Sequence, residues 1–435
     1  MIFLSYLRRF HHRLWVVLVG DGMLRDATLA LMGNGLLSLS AFVTIVVLSR
    51  SLAPDQQGRF AIVATLASIV QTVSSSGFDT AFVRVASQFR NDAAAMREIS
   101  RTFLSAKLVG NLLIMGVGWL VAPIIANGYG DVTIAPLLRI AVLGVFGFGL
   151  NGHLVSILIA RLQFGRLLIA HASFSLITIA AIFSLAAYQQ LTVAGAVMVA
   201  TLAPLVAFGI AVAIFPDLIR FRVELKSHWL QRLRLIGPWI FLVETSSILT
   251  ARLDVLLLGL FVGIEDVGYY YPAKRVLIFV PLGLSALTHA LLPRVASLHS
   301  FEQLRRYVGQ AFKYSGLSVL LLFPVLWWLG GYLPMLLGSP YAPSVSYFRL
   351  ITLGMALVVL LVPLSQVFHA LNRQDLLFRL TAMQILVLTG CAMMLIPRFG
   401  ALGIIYSSYV AYSVTAVQTL LYLKQSLFSG QDGKI

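Results

Sequence analysis

Almost the whole chain is a succession of apolar runs long enough to cross a bilayer, which leaves very few folds open to it. Twelve such runs fall near 27–49, 58–80, 103–125, 134–158, 166–187, 192–215, 236–261, 267–290, 311–332, 346–370, 376–396 and 401–424. Each is close to the ~20 residues that carry a helix across ~30 Å of hydrocarbon. Backbone groups in lipid must satisfy one another, and these runs are too long and continuous for barrel strands, so each is expected to be a helix. Hydrophobic residues make up 59% of the chain and charged ones 11%, against roughly a quarter charged in a soluble domain. The expected fold class is an all-α integral membrane protein.

A sequence echo divides the bundle. Leu48, Gly58, Arg84-Val85-Ala86-Ser87, Arg139 and Gly144 recur 210 positions later as Leu258, Gly268, Arg294-Val295-Ala296-Ser297, Arg349 and Gly354. Twelve transmembrane helices in two repeat-related six-helix lobes follow, at 27–215 and 236–424. Two similar halves in a bilayer are a usual build of transporters, with the substrate between them.

The net charge of +16 raises nucleic acid as a partner, and the placement of the charge argues against it. Of 32 Lys and Arg, 23 fall in the amino-terminal tail, the loops that follow even-numbered spans and the carboxyl tail. Only Arg50, Arg59 and Arg398 flank the opposite loops. The positive-inside rule then puts both termini in the cytoplasm. Residues 1–26 read as a basic cytoplasmic or interfacial segment, and 425–435 as a cytoplasmic tail. In the connector at 216–235, Phe221, Leu225, Trp229 and Leu233 repeat every four residues, so an amphipathic helix on the cytoplasmic surface is expected there.

Enzymatic chemistry has no visible address. The phosphate loop GxxxxGK[ST], the zinc motif HExxH and a Ser/His/Asp arrangement are missing from the sequence. The outer loops are short, whereas a membrane polymerase of glycan assembly needs a long one. Cys391 is the sole cysteine, so neither an internal disulfide nor a cysteine-based metal cluster is expected. No catalytic residue, metal ligand or cofactor is assigned.

Ionisable side chains inside spans cost roughly 2.5–3.5 kcal/mol each on insertion scales, and so face cavities or one another. The cations are Lys107, Arg139, Arg252, Lys274, Arg275 and Arg349, and the acids Glu244, Asp254 and Asp79. Glu244, Arg252 and Asp254 share one helix, whose polar arc at ~100° per residue suits the wall of a wet cavity or an ion pair to a neighbour. Adjacent Lys274 and Arg275 diverge about the next helix, so one of the two is expected to face the cavity and snorkelling to headgroups is open to both. Arg139 and Arg349 occupy equivalent places near the outer face, which fits a shared architectural task or a phosphate contact. Lys107 is expected to snorkel to the cytoplasmic edge. Asp79, whose repeat partner is His289, fits structural capping and proton coupling equally. The cations outnumber the acids, which favours an anionic cargo; phosphate or pyrophosphate suits arginine geometry.

The segment Leu253-Asp254-Val255-Leu256-Leu257-Leu258-Gly259, followed by Gly268-Tyr269-Tyr270 and Leu292-Pro293-Arg294-Val295, resembles the span seven–eight signature of the polysaccharide (O-antigen type) flippases. These belong to the superfamily of multidrug, oligosaccharidyl-lipid and polysaccharide exporters. The stretch from Leu48 to Phe60 looks like that family's opening motif. The resemblance implies alternating access in a bacterial inner membrane, with spans one, two, seven and eight lining the cavity. It implies a polyprenyl-pyrophosphate-linked oligosaccharide as cargo, with membrane lipids and polysaccharide assembly enzymes as partners and no nucleic acid. On that basis Arg252, Lys274, Arg275, Arg139 and Arg349 are candidate pyrophosphate ligands, and Glu244, Asp254 and Asp79 candidates for cavity polarity or ion coupling. A multidrug cation antiporter of the same superfamily and a lipid II-type flippase are the alternatives. Span one carries no charge between Ala27 and Ser49 and no spans follow the twelfth, both departures from the lipid II branch.

Overall fold

The computed structural model describes residues 22–75, 77–218, 224–284, 301–370 and 374–428, and every element among them is a helix. In the amino-terminal half these are α1 (Gly22–Ser51), α2 (Pro54–Ser75), the short α3 (Asp79–Ala86), α4 (Ala93–Gly128), α5 (Ile134–Ala160), α6 (Phe164–Ala187) and α7 (Val193–Ile214). The other half holds α8 (Ser227–Phe261), α9 (Ile264–Val276), α10 (Phe301–Leu329), the short α11 (Leu333–Leu337), α12 (Ser344–Ala370), α13 (Gln374–Phe399) and α14 (Ala401–Phe428). Local chemistry sets several ends. The Asp92 carboxylate accepts from the amides of Ala94 and Ala95 and starts α4, and Thr192 accepts from Gly195 and starts α7.

Ten of the described helices are long and apolar enough to span a membrane, and the protein is a multi-pass membrane protein. The expected seventh and eighth spans are not among the ten. α8 carries Glu244, Arg252 and Asp254, and the charges that mark it out also lower its apolarity, whereas α9 ends at Val276 after 13 residues and is too short to span by itself.

The sequence echo reappears as packing. In the amino-terminal half α1 packs on α6, α5 on α7, α4 on α5, α2 on α5 and α6 on α7. The equivalent helices of the other half repeat all five pairings: α8 on α13, α12 on α14, α10 on α12, α9 on α12 and α13 on α14. Several echoed residues sit at these contacts. Gly144 on α5 lets Thr201 of α7 approach, and Gly354 on α12 faces the Tyr409 ring of α14. Leu48 and Leu258 are both fully buried in the central core.

Gly58 and Gly268 join the halves to each other. A Cβ on Gly58 would collide with the Ile264 carbonyl of α9, and one on Gly268 with the Pro54 carbonyl of α2. Pro54 and Ile264 are themselves 210 residues apart, so the contact is reciprocal and the pseudo-twofold axis runs through it. Small residues allow this backbone-to-backbone approach between membrane helices. Around it Arg50 donates to the carbonyls of Met335 and Leu336 at 2.8 and 2.9 Å, and the Tyr341 hydroxyl to that of Leu52 at 2.9 Å. These ties gather on the face with few charged loops.

At the basic face α8 differs from the expected surface helix at 216–235 followed by a separate span. It runs unbroken from Ser227 to Phe261, with Pro238 inside it. Trp229 is buried, stacks edge-on against Phe89 and donates to Glu98 at 3.2 Å. The apolar stripe containing Trp229 and Leu233 is thus covered by the amino-terminal half, and protein takes the place expected for the bilayer surface. Gly77, with φ of +78°, lies where a Cβ would come 2.7 Å from the Gly237 carbonyl, so α8 leans closely on the turn before α3. The echoed Arg294-Val295-Ala296-Ser297, His289 and the segment 1–21 lie outside the described residues.

Candidate functional site

The second half of α8 and the body of α9 converge on a cavity of about 370 Å³. Arg252 and Asp254 enter it from α8, and Tyr271, Lys274 and Arg275 from α9; Gln384 of α13 and Ser408 and Tyr412 of α14 close it. The two helices present these residues together because a tight turn at Gly263, whose φ of +147° favours glycine, folds α9 back beside α8.

The charges inside are unequally satisfied. Lys274 Nζ sits 2.5 Å from Asp254 Oδ2 and donates to the Ala251 carbonyl at 2.9 Å. Asp254 is buried, and accepts also from the Tyr270 hydroxyl at 2.5 Å and the Val255 amide at 2.9 Å. This carboxylate and this ammonium are therefore committed to each other. Arg275 donates from Nε to the Tyr271 hydroxyl at 2.9 Å and lies over that ring at 5.1 Å. Among the described residues Arg252 has no acid within ion-pair distance, and its buried Nε has no hydrogen-bond partner. The cavity thus holds three cations against one anion, and two guanidiniums lack a carboxylate. Both Lys274 and Arg275 line it, where one was expected: the helix turns them apart, and one reaches Asp254 while the other lies on Tyr271.

The remaining candidates lie elsewhere. Glu244 accepts from Thr80 of α3 at 2.6 Å, about two turns along α8 before Arg252. Asp79 binds Lys107 Nζ through both oxygens at 2.7 Å. Lys107 is 0% exposed, so the expectation that it snorkels is overturned: its ammonium turns inward to a carboxylate beside Gly152, where a Cβ would press on both groups. Arg139 lies over the Trp119 ring at 5.4 Å and Arg349 over Trp327 at 5.7 Å. Neither arginine lines the cavity, and the two arrangements repeat each other in the two halves.

Sequence reasoning missed Gln384, Ser408 and Tyr412. Ser408 and Tyr412, four residues apart on one helix face of a span, are the trace that marks them. Gln384 is a single amide in an apolar helix with nothing beside it to flag it. Three or more His, Cys, Asp or Glu side chains placed to hold a metal do not occur among the described residues.

Solved structures share this architecture. An inward-facing multidrug resistance MATE family transporter of the MOP superfamily aligns with a TM-score of 0.75 at 14% identity, over 91% of this chain and 96% of its own. The lipid II flippase MurJ in an inward closed conformation aligns with a TM-score of 0.73 at 12% identity, over 90% of this chain and 86% of its own. A MOP superfamily transporter from Pyrococcus furiosus, described as having a binding pocket of reverse polarity, aligns at 0.59 and 14% identity over 95% and 98%. The fold is therefore that of the MOP superfamily transporters. No curated protein matches the chain in sequence. Residues 47–346 match the family profile described as polysaccharide biosynthesis protein, and the chain belongs to that family.

Proposed function

We propose that the protein is a flippase that moves a polyprenyl-pyrophosphate-linked oligosaccharide from the cytoplasmic to the periplasmic leaflet of a bacterial inner membrane, by alternating access. The observation that carries this reading is Arg252, a half-buried arginine whose Nε is buried without a partner in a cavity that already holds Arg275 and Lys274. Holding such a charge unpaired is costly, and a diphosphate is the ligand whose charge and oxygen geometry would relieve it. Membership of a polysaccharide biosynthesis family agrees with a sugar-bearing cargo.

In this reading Arg252 and Arg275 clamp the pyrophosphate. Asp254 fixes Lys274 and keeps the cavity from excess repulsion, and Gln384, Tyr271 and Tyr412 supply neutral polar contacts. The prenyl chain stays in lipid. Glu244 and Asp79 lie at or beside the contact of α3 with α8 and would respond to a coupling ion, whereas Arg139 and Arg349 brace each half through tryptophan. The division into 27–215 and 236–424, cytoplasmic termini and recruitment of assembly enzymes to the basic face complete the proposal.

The test is leaflet-resolved transport of a fluorescent polyprenyl-pyrophosphate oligosaccharide in proteoliposomes, wild type beside Arg252→Gln. Loss of about two charge-assisted hydrogen bonds should slow transport at least tenfold at unchanged thermal stability. Equal rates would remove the clamp. Absence of transport by folded wild type under an imposed ion gradient, with cationic dyes moving instead, would replace the reading by the multidrug antiporter.

A further inference from the structure

A second cationic site lies at the basic end of the amino-terminal half, far from the cavity. Arg97 and Arg101 are one turn apart on α4, and with Ser100 between them they face Arg161, the residue that ends α5. Met96, Ile157 and Leu218 form the apolar floor of this shallow dish. Three guanidiniums share it, and their compensation is thin. Arg101 meets Glu224 at 3.4 Å, the long end of an ion pair, and its buried Nε has no partner. Asp217 is engaged by Arg166 at 3.0 Å and acts on Arg161 only at a distance. Among the described residues Arg97 and Arg161 have no acid within ion-pair distance. Burial pushes the Arg161 guanidinium below its usual range and the like charges of Arg166 and Arg97 add to it, against the pull of Asp217.

Part of this charge answers the carbonyl end of α5, since Arg90 caps the Ala160 carbonyl at 3.2 Å. That task is already met by Arg90, and the other three arginines point to a ligand. The depth of the dish says which. Arg101 and Arg97 stand two and six residues before the span expected at 103–125, about 3 and 9 Å beyond its edge at 1.5 Å per residue, which is the level of the lipid phosphates.

We propose that Arg97, Arg101 and Arg161 form a binding site for the phosphate of an anionic phospholipid headgroup, with the acyl chains running along the lipid-exposed face of α4 below Arg101, at Leu112 and Trp119. The ligand chemistry is a phosphate ester held by forked guanidiniums. The site is independent of the cargo assigned above.

The test uses the purified full-length chain in detergent, titrated with phosphatidylglycerol, phosphatidylcholine and inorganic phosphate and followed by native mass spectrometry and thermal unfolding. Wild type should retain phosphatidylglycerol in preference to phosphatidylcholine and melt higher with it. Arg97→Gln/Arg161→Gln should bind it at least about tenfold more weakly, with the lipid-free melting temperature unchanged. Arg84→Gln, an exposed change on the same face, should bind like wild type. Arg161→Lys keeps the charge and loses the fork, and should fall between wild type and the double variant. Binding within twofold of wild type in the double variant, an equal loss in Arg84→Gln, or displacement of the lipid by an equal concentration of inorganic phosphate would each overturn the proposal.

Discussion

Each half of the molecule holds one carboxylate–ammonium pair inside the membrane region, and the two pairs live in opposite surroundings. Asp79 and Lys107 close on each other symmetrically, both oxygens at 2.7 Å, in a packed site bounded by Gly152. Asp254 and Lys274 make a similarly short contact at the wall of a cavity that holds two more cations. The repeat does not explain the difference. Positions 210 residues before Arg252, Asp254, Lys274 and Arg275 are Phe42, Thr44, Ala64 and Thr65. The halves therefore share a frame and differ in charge: the echoed residues hold helices together, and the residues that do not echo build the sites.

The largest effect should come from breaking the sealed pair. Asp79→Ala strands a fully buried ammonium, which should cost about 3–5 kcal/mol of stability in a detergent melt. Replacing both partners by Asp79→Leu and Lys107→Met should recover most of that loss, because an apolar pair has no desolvation to offset. The corresponding double change at Asp254 and Lys274 should leave stability nearer wild type and abolish transport. If transport survives the second double change and fails in the first, the roles assigned to the two pairs are reversed.

The shared frame is tested at its glycines. Gly58→Ala and Gly268→Ala each force a methyl onto a backbone carbonyl that no rotamer change can clear, at about 1–3 kcal/mol apiece. Reciprocity predicts similar costs for the two and a double variant that is less damaging than their sum. Gly35→Ala on α1, which meets nothing within 4 Å, is the control and should be neutral or slightly stabilising. Different costs at Gly58 and Gly268 would show that the contact is not pseudo-symmetric.

Smaller effects should separate architectural arginines from the cavity. Removing the guanidinium in Arg139→Ala or Arg349→Ala loses a cation–π contact worth about 0.5–1 kcal/mol and should leave transport intact, unlike Arg252→Gln. The smallest effect concerns pH and one half only. Burial alone would raise the Asp131 carboxyl, but bonds from Thr133 and from Arg59 at 2.6 Å outweigh it and hold the group below the usual range. A depressed carboxylate stabilises the fold above its unfolded pKa of about 3.9 and loses that contribution as pH falls through the lower folded value. Wild type should therefore lose more melting temperature than Asp131→Asn between pH 6 and pH 3. Parallel profiles would show that Arg59 and Asp131 are not coupled.

Much of this was legible beforehand. Periodic apolar runs gave the helices, because nothing but a helix satisfies a lone backbone in lipid. Arg252, Asp254, Lys274 and Arg275 stood out because charge is costly there. Other features left no local mark. Lys107 lies 28 residues from Asp79, and no spacing rule pairs them. Trp229 and Leu233 show the stripe of a surface helix, and an amphipathic stripe looks the same whether bilayer or protein covers it. Gln384 gains its meaning only from α8 and α9 opposite.

The sequence by itself determined the class of fold and the inventory of intramembrane charge, which follow from the transfer cost of residue types counted along the chain, and the repeat, which follows from residues that recur 210 positions apart. The tertiary structure alone decided which charges neutralise one another. Asp254 takes Lys274 and leaves Arg252 without an acid because helix crossing places one within hydrogen-bond reach and not the other. Coulomb and hydrogen-bond energies fall off over a few ångströms, a scale fixed by packing in three dimensions and not by distance along the chain.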